Sequence, residues 1–233
     1  MSIFMRSGDL KDYFKKAPAT SIIIIINLLM LLVTLASGGF TNLTLFNLGA
    51  IWAPAVKAGE YYRLLTGMFL HGSIIHFISN AVIGLYVLSS ALERLVGTKK
   101  FLLIYFLSGL GSGLLVVFTS NNLTIGASGA IFGALGSLVY LTIYRRDLIS
   151  AQDSSSIRGL VLINIVFTFL MPGISIAGHI GGIVTGFILS YMFIKRNKIK
   201  QPETNIYETF DYTIKPEDYD AWDDEEDKHD RYS

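Results

Sequence analysis

The chain has 233 residues, of which 52% are hydrophobic and 16% charged, and its mean hydropathy is +0.50. A soluble domain of this length has too little interior to hide that much apolar surface, so the composition points to a bilayer. The net charge of +1 conceals a split, with 16 basic and 6 acidic residues in 1–200 against 3 and 12 in 201–233, and the lack of cysteine excludes disulfides, thiolate catalysis and cysteine-ligated metals.

Residues 1–19 form a cytoplasmic N-terminal segment carrying Arg6, Lys11, Lys15 and Lys16, followed by a first apolar stretch from Thr20 to Ser37. More spans and no convincing small-residue cleavage site follow it, which argues against a removed signal peptide. The longest connection, Gly38 to about Leu70, carries Phe40, Phe46, Ile51, Trp52, Tyr61 and Tyr62 and is expected to lie at the membrane interface. Glu60 and Arg63 are three apart within it and are expected to pair if the stretch turns helical, as an exposed pair of little worth. Five more apolar stretches follow: Ser73 to Leu92, Phe101 to Thr119, Ala127 to Tyr144, Ile157 to Met171, and Ile176 to Ile194. Most reach the roughly 18 to 20 residues that cross a ~30 Å hydrocarbon core, and the fifth stretch is the marginal one. The fold class expected is an all-α integral membrane protein, a bundle of six transmembrane helices spanning 20–195. Residues 196–233 read as an acidic, disordered cytoplasmic tail, with the run Glu217 to Asp230 interrupted by Tyr219 and Trp222.

Basic residues set the orientation. Four precede the first span; Arg94, Lys99 and Lys100 lie between the second and third; Arg145, Arg146 and Arg158 between the fourth and fifth; Lys195, Arg196, Lys198 and Lys200 after the sixth. The alternate connections hold only Lys57 and Arg63. The positive-inside rule then puts both termini in the cytoplasm, in what is expected to be a bacterial cytoplasmic membrane. The second, fourth and sixth spans therefore enter from the outer face, and they carry His76, Ser128 and His179 at one depth. No nucleic-acid partner is expected, because the basic residues are accounted for as flanks of spans.

Small residues recur at packing intervals: Gly129 and Gly133 on the fourth span, and Gly178, Gly182 and Gly186 on the sixth. Such stripes let helix backbones approach closely in lipid, and packing these two helices together brings His179 toward Ser128. A third cluster, Gly109, Gly111 and Gly113, reads as packing alone.

A serine in a membrane helix is commonly a packing residue, but an intramembrane histidine costs more to bury and argues for function. Ser128 is the expected nucleophile and His179 the general base and acid. No Asp or Glu lies in the fourth or sixth span to orient the imidazole, so a dyad is expected. His76 and Asn80, one helical turn apart, and the Ser128 backbone N–H are the candidate oxyanion donors. His71 points to a different side of an ideal helix from His76 and reads as supporting structure or a secondary donor. Gly-x-Ser-x-Gly would need glycine at Ala130, so a nucleophile elbow is absent.

At these residues the chain resembles the rhomboid family of intramembrane serine proteases. The resemblance rests on His71-Gly-Ser-Ile-Ile-His76-Phe-Ile-Ser-Asn80, Glu93-Arg94-Leu95-Val96-Gly97, Gly126-Ala-Ser128-Gly129, and Gly178-His179-Ile-Gly-Gly182-Ile-Val-Thr-Gly186. It implies a six-helix core, the Ser128–His179 dyad, and an oxyanion site using His76 and Asn80, with Gly126, Gly129, Gly182 and Gly186 in support. It further implies transmembrane proteins as substrates, cut near the outer end of their spanning helix, membrane lipid as the surroundings, and no cofactor. The loop from Met171 to Gly178 would cap the site and the fifth helix would border substrate entry. Tyr62 stands where the family commonly has Trp, and Phe132 where many members have Tyr. His-Glu-x-x-His and a pair of membrane aspartates are both absent, which disfavours zinc and aspartyl proteases. A membrane transporter and a non-catalytic rhomboid-like binder of transmembrane helices are the competing readings. The first is disfavoured by the lack of an internal repeat, and the second by the retention of both Ser128 and His179.

Overall fold

The computed structural model describes residues 10–171 and 173–195. The acidic tail, expected from its sequence to be disordered, and the first nine residues lie outside the described residues. Six long helices form a bundle: α1 (Pro18–Ala36), α2 (Ile74–Val96), α3 (Thr98–Thr119), α4 (Ser128–Tyr144), α5 (Ala151–Leu170) and α6 (Ile176–Phe193). Among the described residues the strand-like pairing is confined to one isolated antiparallel bridge, Ile51 to Thr124.

All but α4 are long and apolar enough to cross a membrane, and α4 has 17 residues. The short span is therefore the fourth, not the fifth. Helix α5 starts six residues before the expected Ile157, because Ser150 caps it by accepting from the Asp153 N–H at 3.0 Å. Its first two turns, Gln152 to Ser156, are polar and so were invisible to a hydropathy reading.

Helix α4 is the centre of the bundle, with buried residues from Gly129 to Leu141. Tyr105 of α3, Leu85 and Leu88 of α2, and Leu135, Leu138 and Tyr140 of α4 are among the side chains closing the core. The outward faces are apolar as well. Leu29 of α1, Phe118 of α3 and Leu170 of α5 are 55%, 77% and 72% exposed, the inverse of a soluble bundle and what lipid contact requires.

A buried carboxylate ties α1 to the end of α2. Glu93, 1% exposed, accepts from the Ala19 N–H (2.9 Å), the Thr20 N–H (2.8 Å), the Thr20 hydroxyl (2.7 Å) and the Thr98 hydroxyl (2.9 Å). The first turn of α1, opened by Pro18, has N–H groups without intrahelical partners and a positive dipole end. A fully bonded carboxylate satisfies both.

Short helices Asn42–Asn47, Ala53–Lys57 and Arg63–Thr66 fold the long connection into a compact cap. Arg63 organises it. Its guanidinium bonds Glu60 (2.7 Å), the Phe46 carbonyl (2.7 Å) and the Ala50 carbonyl (3.1 Å), and lies 4.1 Å from the centre of the Phe46 ring. With Arg63 only 3% exposed, the expectation of an exposed pair is corrected: three chain segments converge on one buried cation.

Candidate active site

The glycines of α4 and α6 settle how those helices meet. A Cβ on Gly182 would strike the Gly129 carbonyl oxygen, one on Gly186 the Gly133 carbonyl oxygen, and one on Gly136 the Ile183 carbonyl oxygen. The backbones touch, with no room for a side chain between them. Ser137 locks the contact with one O–H shared between the carbonyls of Gly133 (3.0 Å) and Gly186 (3.1 Å). Ser108 and Ser112 of α3 fill the spaces beside Gly133 and Gly129. Gly109 and Gly113 make room for Met68 and Leu64 of the cap, and Gly111 for Thr185 of α6. This third cluster is packing, as its sequence context implied.

That register sets His179 of α6 against the first turn of α4. The rings of His179 and Phe132 stack 3.7 Å apart and 18° from parallel. The aromatic packing thus survives with phenylalanine at this position. His179 is buried, at 8% exposure, and Ser128 is half-buried at the first residue of α4. Among the described residues no hydrogen bond joins Ser128 to His179; the partner of the His179 Nδ1 is the Thr168 hydroxyl at 2.8 Å. Hydrogen bonds of this kind commonly tighten only with substrate in place.

Gly126 shapes the floor in front of the serine. Its φ of +119° suits glycine, and its N–H is held by the Gly67 carbonyl at 2.8 Å. A Cβ there would lie 2.9 Å from His76 Nε2 and 3.7 Å from Ser128 Oγ, so the bare glycine leaves a small space that both groups border. The amide of Ser128, at the helix start, has no carbonyl four residues back within α4 to bond.

His76 is aimed by its backbone. Ser73 caps α2 by accepting from the His76 N–H at 3.0 Å, and the Gly72 N–H donates to His76 Nδ1 at 3.4 Å. A neutral imidazole accepting at Nδ1 carries its proton on Nε2, the atom that borders the space above Gly126. Asn80 donates to the His76 carbonyl at 2.9 Å, leaving its second amide proton for the cavity. Asn80 also sits where α2 is wound with i→i+5 bonds, from Ser79 to Ser89, a winding found preferentially at functional sites. His71, in contrast, precedes α2. Its ring is 5.0 Å from that of His76 and 5.5 Å from that of Phe77, so the expectation that it faces away is corrected. It is buried, both its nitrogens lack a standard hydrogen bond, and burial, then the neighbouring His76, push it down to about 3.

Ser128, His179, His76 and Asn80 line one cavity of about 1430 Å³, together with Asn164 and Thr168 of α5. Among the described residues no three His, Asp or Glu side chains gather as metal ligands. Residues 58–196 match the sequence model of the rhomboid domain. The chain belongs to the rhomboid family. Rhomboid protease GluP of Bacillus subtilis (strain 168) is 36% identical over 173 residues, covering 74% of this chain and 34% of GluP. The rhomboid YdcA of the same organism is 28% identical over 203 residues, covering 84% of this chain and 98% of YdcA. RHOMBOID-like protein 6, mitochondrial, of Arabidopsis thaliana is 34% identical over 163 residues, 67% of this chain and 52% of the plant protein. This rhomboid thus spans about a third of GluP and about half of the plant relative. Family membership and its apolar helices make it an integral membrane protein.

Sequence reasoning missed two residues near this chemistry. Thr168 and Asn164 lie in the span judged marginal, and nothing in their local pattern separates them from other small polar residues of membrane helices.

Proposed function

We propose that this rhomboid is an intramembrane serine endopeptidase that hydrolyses peptide bonds in or near the transmembrane helices of membrane proteins. The observation that carries the reading is the convergence of Ser128, His179, His76 and Asn80 on one cavity, enforced by glycine contacts between α4 and α6.

In this mechanism Ser128 Oγ attacks the carbonyl carbon of the scissile bond while its proton passes to His179 Nε2. The C=O electron pair moves to oxygen, and the oxyanion is met by His76 Nε2–H, the free Asn80 amide proton and the Ser128 N–H. The C–N bond then breaks as the imidazolium returns its proton to the leaving amine. Water, activated by the same imidazole, releases the acyl group.

Helix length supports a submerged site. Seventeen residues extend about 26 Å, short of the ~30 Å hydrocarbon core. With Arg145 and Arg146 at one interface, Ser128 lies below the other surface, where a transmembrane substrate meets it. The charge pattern supports cytoplasmic termini and a site opening to the outer face, and the similarity to two rhomboids of Bacillus subtilis supports a bacterial cytoplasmic membrane. The domain reading follows: 1–19 and 196–233 flank a catalytic core of 20–195.

The test is cleavage of a permissive single-pass substrate by purified protein in proteoliposomes. Ser128→Ala and His179→Ala are expected to abolish turnover while inserting normally. Turnover near wild type in either variant would overturn the assignment.

A further inference from the structure

We propose that Thr168 of α5 is a positioning residue for His179, fixing the imidazole in the tautomer that leaves Nε2 free to take the Ser128 proton. The inference rests on the serine–histidine reading above.

The Thr168 hydroxyl lies 2.8 Å from His179 Nδ1 and donates to the Asn164 carbonyl at 2.7 Å. A hydroxyl has one proton and two lone pairs. With that proton committed to Asn164, the oxygen facing Nδ1 is an acceptor, and the imidazole must carry its own proton on Nδ1. The arrangement survives the reaction. When Nε2 takes the serine proton, both ring nitrogens become donors, and Thr168 continues to accept without changing its own protonation. The chain Nδ1–H to Oγ1–H to C=O ends on a helix carbonyl and spreads part of the developing positive charge over neutral dipoles. This is the task an aspartate performs in a triad, done here by a hydroxyl and a peptide group.

Burial separates this hydroxyl from an incidental one. The buried residues of α5 are Asp153, Ile157 and Thr168, whereas Ile163, Val166, Phe167 and Phe169 around Thr168 are exposed and Asn164, one turn before it, is half-buried. The bond therefore lies on the one face of the outer half of α5 that meets the bundle. Because Thr168 and His179 belong to different helices, separating α5 from α6 at this end disconnects the base from its acceptor.

The experiment compares the purified full-length chain in detergent with Thr168→Val, Thr168→Ser and His179→Ala, following the rate of Ser128 labelling by a small fluorophosphonate. This probe reports serine activation without requiring a helix to enter. Thr168→Val is expected to label roughly 10-fold to 100-fold more slowly, the loss of a hydrogen bond to a group that becomes charged, and to lower kcat with KM unchanged. Thr168→Ser is expected to restore most of the rate. Wild-type labelling in Thr168→Val, with His179→Ala silent, would overturn the inference and leave the dyad standing. Equal losses in Thr168→Val and Thr168→Ser would also overturn it, since shape rather than the hydroxyl would then matter. Labelling of His179→Ala at the wild-type rate would instead remove the dyad itself, and this inference with it. Nitrogen-15 NMR of the wild-type histidines needs no folded variant: a resting His179 protonated on Nδ1 is expected, and one protonated on Nε2 contradicts the proposal.

Discussion

Removing His76 or Asn80 separates chemistry from architecture at the level of single residues. Loss of one oxyanion donor commonly costs ~10²-fold to 10³-fold in rate, so His76→Ala and Asn80→Ala are expected to lower kcat by that order. Unchanged kcat per folded molecule, measured with a fluorogenic transmembrane substrate, would make both structural. His71 offers a different signature. Its ordinary value is 6.5, and burial holds it at about 3 in the folded protein. The unfolded chain therefore binds a proton as pH falls through 6.5 while the folded protein does not until about 3. The contribution to stability is complete above 6.5 and is lost progressively as pH drops toward 3. Melting temperatures over that window should fall with acidification, and fall less steeply in His71→Gln. An identical slope in the variant would mean that other groups set the acid sensitivity.

Between helices, the decisive contacts are backbone against backbone. Gly182→Val pushes a side chain into the Gly129 carbonyl, and overpacking of this kind costs about 1–3 kcal/mol or more. It also parts His179 from Ser128, so activity should fall further than stability alone explains. Gly159→Ala on α5, with nothing within 4 Å of the added carbon, is the matched control and should behave as wild type in both melting and cleavage. Glu93→Gln removes the charge from a carboxylate holding four donors, and a loss of roughly 2–4 kcal/mol in unfolding free energy is expected. The glycine contacts were legible in the sequence because small residues four apart have one physical use in lipid. The Glu93 cap was not, since three of its four donors lie more than seventy residues away on α1. Hydropathy also hid the start of α5 and the wide winding of α2, because polar first turns and altered bonding periods leave apolar averages unmoved. Thr168 shows the same limit: its importance comes from facing His179 across two helices, which no local pattern encodes.

The molecule as a whole is tested by its two sides and its tail. Cysteines placed singly at Ser120 and Gly173 should react with an impermeant thiol reagent in intact cells, while cysteines at Ser154 and Ser233 should not; the reverse pattern would turn the site to the cytoplasm. Truncation after Lys200 should preserve cleavage of a purified substrate in detergent, because Ser128, His179, His76 and Asn80 all lie within the helical core. A truncated protein that reacts with the serine probe yet fails to cleave would give the tail a part in substrate handling. The central claim, that one membrane-embedded serine is activated by one histidine, meets its most direct test in peptide mass spectrometry of the fluorophosphonate-treated chain. The adduct is expected on Ser128 alone and absent in His179→Ala; an adduct on another serine, or an undiminished Ser128 adduct without His179, would contradict the account.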